Sequence, residues 1–496
     1  MKKLLKLFQN SNNYGSLILL TGVLIAVPLI VLPFYPEEAR YWYSFAAPSV
    51  FSVALGAAIC IFKPSTEESI SEWQSPLQKG GIPVLIAWCF SFIAGALPFV
   101  IAGELSPLLA LFESISGWTT TGLTIVDVSA TPRIFLFHRA FMQYCGGLGF
   151  VIMITMLHQG KQSMNLFNAE GHPDRLVPNI KKTSRVIFLM YSAFLAAGIL
   201  LYRIFGMNFF DAVCHAMSAI STAGFSTRVS GIGEYGSVAV GVVTIVLMLI
   251  GSTNFAVVLL LVQRKFRQIP QISELRFLLI LLAVFVPLIA FSLITQMDMR
   301  VGEGIFNAVF GTVASLSTTG YTTMDYMRWP PFAMGLLILM MFIGGGSGST
   351  AGGLKLSRVY LLFRVTRENI RKRFSPARRV TTLTYHTPQG KTEIDNDLIK
   401  DTFGFITCFV GIFIIGTLLV TLTSDGTLLE AMVEFGSTFC TVGIVNHLTN
   451  ADSSAALLVV QMMGMVLGRL EIFIVFIGIY SIFRKVAQFF KGLGGV

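Results

Sequence analysis

Long apolar segments dominate this chain and recur in a fixed order. Two lie near the amino terminus, at residues 16–33 and 43–62. Four sets follow, each with a long span, a segment of about twelve residues and a second long span. A bilayer core about 30 Å thick takes a helix of about 20 residues. The pattern therefore predicts ten spans, and those of the four sets lie near residues 82–101 and 134–157, 186–205 and 236–262, 277–294 and 332–363 (the latter interrupted), and 403–422 and 455–483.

The four short segments all end in the motif Thr-x-Gly. Its copies, whose glycines lie roughly a hundred residues apart, are Thr120-Thr121-Gly122, Thr222-Ala223-Gly224, Thr318-Thr319-Gly320 and Thr441-Val442-Gly443. A helix of twelve residues rises roughly 18 Å, which is too little to cross a bilayer. Non-helical backbone at that depth is tolerated only where it lines a protein or water cavity. We therefore expect four re-entrant helices, each followed by a loop.

Composition places the chain among polytopic membrane proteins. Its residues are 54% hydrophobic and only 12% charged, with a mean hydropathy of +0.72, whereas about a quarter of a soluble domain is charged. The six cysteines have neither the pattern of a disulfide framework nor the spacing of a zinc site. No His/Asp/Glu or Cys/His cluster typical of catalysis stands out, so we expect neither an enzyme nor a cofactor.

The net charge is +10, and the basic residues are distributed as the predicted topology requires. Every lysine lies in a connection on the same side of the membrane as the termini, and such residues mark cytoplasmic loops. We therefore expect both termini in the cytoplasm, the re-entrant loops on the outer side of the plasma membrane, and no nucleic-acid partner. Basic residues are denser within 364–379 than orientation requires, which predicts a docking surface for a cytoplasmic partner or anionic lipid.

The motif residues suit a dehydrated monovalent cation. Backbone carbonyl and threonine hydroxyl oxygens replace the hydration shell without a formal charge that would trap the ion. Glycine permits the backbone angles that aim successive carbonyl groups inward. For three polar residues near the starts of the short helices, Asp211, Asn307 and Glu430, helix capping is the favoured interpretation. Acidic residues expected near the outer mouth are Glu113, Asp127, Asp211, Asp325, Glu430 and Glu434.

Small residues interrupt the second span of the third set. They are Gly344, Gly345, Gly346, Ser347, Gly348, Ser349, Thr350, Ala351, Gly352 and Gly353. Close helix packing is one explanation, while a Walker loop is excluded because Leu354 precedes Lys355. We favour a flexible loop that obstructs a pore below the motifs. Arg469, inside the last span, is a further functional candidate because a charge there is costly. The alternative is a structural ion pair, either with Glu471 or with a residue of another helix.

These stretches resemble the Trk/Ktr/HKT superfamily of potassium transporters, and within it the TrkH type. The resemblance covers nearly the whole chain. The two amino-terminal helices favour the TrkH type over the shorter KtrB type. The fourth loop departs from the other three, with Cys440 in place of a hydroxyl residue and Ile444 in place of a mostly bulky or aromatic one. The residues that carry the resemblance are 221–228 (STAGFSTR), 317–323 (STTGYTT), 344–355 (GGGSGSTAGGLK), 468–473 (GRLEIF) and the link at 169–183.

The resemblance implies an all-α polytopic fold in which two amino-terminal helices precede four repeats of helix, re-entrant pore loop and helix (M1-P-M2) around one central pore. It implies potassium uptake across the bacterial inner membrane, a homodimer, a gate in which Arg469 contacts the loop at 344–353, and regulation by a cytoplasmic, nucleotide-binding ring of the TrkA type. Glycine in all four motifs resembles the potassium-selective members. The expected boundaries are 1–80 for the amino-terminal pair and 81–160, 161–265, 266–380 and 381–496 for the repeats.

Two other transport mechanisms remain as alternatives. A secondary transporter of a small solute would predict inverted repeats and a binding site near the midplane, whereas the four sets here all have one orientation. A symporter that couples the cation to protons or sodium is the second alternative.

Overall fold

Most of the apolar segments form helices. The computed structural model describes residues 13–62, 76–149, 152–153, 180–375, 382–444, 448–470 and 472–481. Packing divides the chain into two compact units. One unit takes the described residues up to Trp118, those from Ala130 to Ala193 and those after Arg469; the other takes Thr119–Ser129 and Phe194–Arg469. All four Thr-x-Gly motifs therefore belong to the second unit.

Two helices precede the repeats, as the sequence predicts. Small residues bring them together: a Cβ atom on Gly22 would lie 2.8 Å from the backbone nitrogen of Val53, so only glycine allows this close approach. Prolines interrupt the α-helical hydrogen bonding between the two helices. The pair consists of α1 (Asn13–Ala26) and α2 (Trp42–Phe62). Two 3-10 segments, Val27–Phe34 and Pro36–Tyr41, connect them.

Each repeat begins with a long helix, a short helix and then a further helix. In chain order they are α3 (Pro76–Ala102), α4 (Pro107–Trp118) and α5 (Arg133–Leu148) in the first repeat; α6 (Ile180–Ile204), α7 (Phe209–Ile220), α8 (Val238–Ser252) and α9 (Phe255–Val262) in the second; α10 (Ser273–Gln296), α11 (Val301–Leu316), α12 (Pro331–Ile343) and α13 (Leu356–Arg373) in the third; and α14 (Asn396–Thr423), α15 (Leu428–Phe439), α16 (Ala455–Arg469) and α17 (Ile472–Ser481) in the fourth.

The short helices α4, α7, α11 and α15 end where the motifs begin. Three of them have 12 residues and α11 has 16. None is long enough to cross the hydrocarbon core, which agrees with the re-entrant helices expected from the sequence.

In the second and fourth repeats the first helix of the second long span ends early, whereas the sequence predicts an interruption only in the third repeat. Within the single span predicted at residues 236–262, α8 and α9 meet at an angle of 114°, so this span is broken. At this break the Thr253 hydroxyl donates to the Leu249 carbonyl oxygen at 2.6 Å, and the Asn254 side chain caps α9. Such side chains compete with the helical backbone for hydrogen bonds. The span predicted at 455–483 likewise ends its first helix at Arg469, and most of 150–157 lies outside the described residues.

Six continuous helical segments among the described residues are long and apolar enough to cross a bilayer. They are Tyr14–Phe34, Pro36–Ile61, Pro83–Ala102, Lys181–Ile204, Ser273–Gln296 and Asn396–Thr423. These segments are the amino-terminal pair and the first helix of each repeat. Two bent pairs, α8 with α9 and α16 with α17, are apolar and long enough when each pair is counted as one span.

A β-hairpin follows α13, and the all-α prediction did not include it. Strand β1 (Thr384–Thr387) pairs antiparallel with β2 (Gly390–Glu393). Pro388 lies in the connecting turn, where its fixed φ is favourable. Next to the hairpin, Ile394 packs in a small apolar cluster with Leu361 of α13, so the hairpin is attached to the end of the third repeat.

Candidate functional site

The four Thr-x-Gly motifs share one backbone conformation. Their first residues, Thr120, Thr222, Thr318 and Thr441, have φ values of 57°, 53°, 56° and 54°. Their glycines, Gly122, Gly224, Gly320 and Gly443, have φ values of 83°, 60°, 69° and 79°. The middle residue has no positive φ in any motif. A β-branched residue in the left-handed region is a true outlier and costs about 1–2 kcal/mol; four of them at equivalent positions indicate a functional constraint.

The preceding short helices produce this conformation through their carboxyl-terminal caps. In the second motif the N–H of Thr222 donates to the Ala219 carbonyl oxygen at 3.1 Å, and that of Ala223 to the Ser218 carbonyl oxygen at 3.0 Å. The third and fourth motifs repeat both bonds. This is the Schellman pattern, in which glycine normally takes the left-handed position. The sequence pattern indicated the left-handed backbone for the glycines alone and not for the threonines. The available signal was the fixed position of each threonine, two residues after the end of a short helix.

The four loops meet in a closed ring. A Cβ atom added to Gly122 would lie 3.1 Å from the carbonyl oxygen of Ala223 in the second loop. Equivalent atoms on the other three glycines would overlap a carbonyl oxygen of the next loop, in the order second to third, third to fourth, and fourth back to first. The contacted oxygens belong to Thr319, Val442 and Thr121. The glycines are therefore required both by their backbone angles and by the closeness of the neighbouring loop.

The ring presents uncharged oxygen atoms. The hydroxyls of Thr120 and Thr441 are buried and have no hydrogen-bond partner among the described residues, a state that costs about 1–3 kcal/mol for a buried polar group. In contrast, the hydroxyl of Thr121 lies 2.8 Å from that of Thr119, and that of Thr319 lies 2.7 Å from that of Ser317. The latter two hydroxyls are engaged within their own loops, so the carbonyl groups and the hydroxyls of Thr120 and Thr441 are the oxygens that a monovalent cation could use.

The interrupted segment of the third repeat lies against this ring. We call residues 344–353 the intramembrane loop. The Thr350 hydroxyl lies 2.9 Å from the Thr222 hydroxyl, and the Gly352 N–H donates to the Thr318 hydroxyl at 2.7 Å. A Cβ atom on Gly352 would overlap the Thr441 hydroxyl. The loop thus touches the first threonine of three motifs.

The intramembrane loop hydrogen-bonds to the break between α8 and α9. The Gly346 N–H donates to the Ser252 carbonyl oxygen at 2.7 Å, and the Thr350 N–H donates to that of Gly251 at 3.2 Å. In return, the Phe255 N–H donates to the Gly348 carbonyl oxygen at 3.4 Å. Two interruptions in different repeats therefore satisfy each other's backbone groups, as non-helical segments within a membrane must.

Arg469 reaches the same loop. Its guanidinium group donates to the carbonyl oxygen of Thr350, and the residue ends α16. The structure thus brings Arg469 to the loop as the resemblance implied. The alternative partner, Glu471, lies outside the described residues.

The acidic residues expected at an outer mouth divide into buried and exposed groups. The expectation is wrong for Glu113, which is fully buried and paired with Arg139 at 2.5 Å. Glu434 is buried as well. Asp211 is buried too, and it accepts hydrogen bonds from Arg228 at 2.7 Å and from two neighbouring hydroxyls. Asp127 and Asp325 are exposed and cap local turns.

Helix capping is confirmed for one of the three proposed residues. Glu430 forms a capping box with Thr427 at the start of α15. Asp211 is not the cap of α7, because that position belongs to Asn208. Asn307 lies inside α11, where it accepts a hydrogen bond from the Thr323 hydroxyl at 2.7 Å. Asp211 and Asn307 therefore tie the chain that follows a motif back to the helix that precedes it.

The helix order and the apolar helices long enough to cross a bilayer define a multi-pass membrane protein. Comparison with known families gives the same class: the TrkH model, described as a cation transport protein, matches residues 95–483, and the chain belongs to this family. The resemblance seen in the sequence is thereby confirmed, as is the expectation that the chain is not an enzyme.

Individual relatives match along nearly their whole length. The chain is 30% identical over 483 residues to the Trk system potassium uptake protein TrkG of Escherichia coli (strain K12), which covers 93% of this chain and 96% of the relative. It is 27% identical to the Trk system potassium uptake protein TrkH of Halomonas elongata, with 93% and 96% covered. The crystal structure of the potassium transporter TrkH from Vibrio parahaemolyticus superposes with a TM-score of 0.81 at 27% identity, again over 93% of this chain and 96% of the other.

Proposed function

We propose that this chain takes up potassium ions across the bacterial inner membrane through the ring of four Thr-x-Gly motifs. The observation that carries the proposal is the ring itself, in which each of four strained tripeptides packs its glycine against a carbonyl oxygen of the next loop. The potassium uptake proteins among the relatives support potassium as the transported ion.

The ring replaces the water around the ion. Twelve residues contribute, as the three positions of each motif: Thr120, Thr121, Gly122, Thr222, Ala223, Gly224, Thr318, Thr319, Gly320, Thr441, Val442 and Gly443. Their uncharged oxygens bind a cation strongly enough to remove its hydration and weakly enough to release it. Helices α4, α7, α11 and α15 end at the motifs, so their negative dipole ends favour a cation there. The membrane potential adds about 2.3 kcal/mol per charge for each 100 mV.

The intramembrane loop serves as the gate. It contacts three of the motif threonines, and its Thr350 is held by Arg469. An ion leaving the ring on the side of these threonines meets the loop and the Arg469 charge, so conduction requires the loop to move.

Three further elements of the proposal concern assembly and orientation. Both termini lie in the cytoplasm, as the distribution of lysines indicates. Two copies of the chain associate as a homodimer. A nucleotide-binding ring of the TrkA type docks on the cytoplasmic side at the α13 basic end, which we define as Arg371, Lys372 and Arg373; all three residues are exposed in the last turn of the helix.

Transport by the purified protein in liposomes tests the function. With a membrane potential negative inside, we expect rubidium influx that external potassium inhibits and external sodium does not. Influx that sodium inhibits equally well would contradict the proposal of a potassium-selective ring. Influx that requires an imposed proton or sodium gradient would instead favour the symporter.

A further inference from the structure

The intramembrane loop also has an anionic contact, in addition to its contact with Arg469. The N–H of Ser347 donates to the Oε1 atom of Glu274 at 2.7 Å, and a Cβ atom on Gly346 would lie 3.4 Å from the same oxygen. Glu274 belongs to the first turn of α10. It therefore contacts the loop from a helix that begins well before the loop in the sequence.

Charges of opposite sign hold the two ends of a short stretch of this loop. The carboxylate of Glu274 accepts from the N–H of Ser347, while the guanidinium group of Arg469 donates to the carbonyl oxygen of Thr350. The negative carboxylate meets a backbone donor and the positive guanidinium group meets a backbone acceptor, so each charge suits its partner. Because Thr350 itself contacts Thr222 of the ring, the position of this stretch determines one of the contacts between the loop and the ring.

An acidic residue in the first turn of a helix is common, because it interacts favourably with the helix dipole. Asp397 in the first turn of α14 fits that role: its side chain is 89% exposed and lies 3.8 Å from Lys400. Glu274 differs because its oxygen accepts a hydrogen bond from a different segment. Hydrogen bonds that involve an ionised acceptor are about twice as strong as neutral ones, so the contact is suited to hold the loop in place.

We propose that Glu274 is a positioning residue that holds Ser347 and thereby keeps the intramembrane loop against the ring. This inference rests on the gating role given to the loop in the proposed function. The same turn of α10 is attached to the hairpin, because the His386 N–H of β1 donates to the Ser273 hydroxyl at 3.0 Å. A partner that moves the hairpin would therefore act on the turn that carries Glu274.

Rubidium influx into liposomes without any partner protein tests the proposal. Glu274→Ala removes the acceptor and should raise basal influx about tenfold or more, the change expected when a hydrogen bond to a charged group is lost. Glu274→Gln keeps a carbonyl acceptor and should raise influx less. The matched control, Asp397→Ala, should leave influx unchanged. The ratio of rubidium to sodium influx should stay constant in all variants, because none of them alters a motif.

A second measurement does not depend on transport. Ser347→Cys is introduced into the parent and into each variant, and its labelling by a membrane-impermeant thiol reagent is followed in detergent, with the native cysteines as background. Labelling should be faster with Glu274→Ala than with Asp397→Ala. Equal labelling rates in the Glu274→Ala and Asp397→Ala variants would contradict the positioning role of Glu274. Equal rubidium influx in these two variants would contradict it as well. Absence of rubidium influx in the parent would instead contradict the proposed function. The labelling rates would then still show whether Glu274 holds the loop. If Glu274→Ala does not fold, Glu274→Gln is compared in the same way.

Discussion

Replacement of Gly320 by serine tests whether the ring depends on its glycines. This residue has a φ of 69°, and a Cβ atom on it would overlap the carbonyl oxygen of Val442 in the fourth loop. The left-handed backbone alone costs a non-glycine residue about 1–2 kcal/mol. The overlap must also be relieved, and only a separation of the third loop from the fourth can do so. The substitution should therefore widen the ring at one contact.

A wider ring should discriminate less between potassium and the smaller sodium ion. If the strain of about 1–2 kcal/mol appears entirely as lost discrimination, the ratio of potassium to sodium permeation falls by a factor of about 5–30. The assay is rubidium influx into liposomes in competition with external potassium or sodium. Gly335→Ser in α12 is the matched control, because a Cβ atom there meets nothing within 4 Å, and it should leave the ratio unchanged.

Two results would refute this reasoning. One is a folded Gly320→Ser variant whose ion preference equals that of the parent, because the ring would then tolerate the overlap. The other is an equal loss of preference in Gly335→Ser, because the effect would then not depend on the ring.

Three more predictions follow from the contacts described above. Deleting several residues between 346 and 352 should raise basal rubidium influx, because the contacts with the motif threonines are lost; influx equal to that of the parent would contradict the gate. Neutralising the α13 basic end should lower the amount of the nucleotide-binding ring that co-purifies while leaving thermal stability unchanged, and an unchanged yield of the partner would argue against this dock. Glu113→Gln should lower the free energy of unfolding by about 3–5 kcal/mol, because Arg139 is left charged and buried; the double substitution Glu113→Leu with Arg139→Met should recover much of the loss, and thermal unfolding in detergent measures both.

Local patterns in the sequence were enough to predict the loops. Each motif lies at the end of an apolar segment too short to span a bilayer, and its four copies stand in similar surroundings, so the repeat was visible without knowledge of distant contacts. The interruption at 344–353 was predicted for the same reason, because its composition is unsuited to a lipid-facing helix. The family that these stretches indicated is the one confirmed by comparison.

The broken second helices show where local patterns fail. Residues 238–262 are apolar apart from Thr244 and a short polar stretch at Ser252, Thr253 and Asn254. The hydrophobic pattern does not predict a break of this kind, because the residues on both sides of it are apolar. What stabilises the break is the intramembrane loop that hydrogen-bonds to it from another repeat, and such a contact has no signature in the local sequence.

Buried charges were misplaced for a related reason. Glu113 was assigned to an outer mouth because it lies in a short segment near a motif. Its partner, Arg139, follows on a different helix, and only the packing of α4 against α5 brings the two side chains together. The positive φ of the four threonines could not be predicted for the same reason. Threonine disfavours this conformation, and only the helix caps and the neighbouring loops impose it.

The position of a bound heavy cation would test the central claim most directly. Anomalous diffraction from crystals grown in rubidium or thallium should show a peak inside the ring, surrounded by the carbonyl oxygens of Thr121, Ala223, Thr319 and Val442. A protein that conducts rubidium in liposomes but shows its cation peaks only elsewhere would contradict the account.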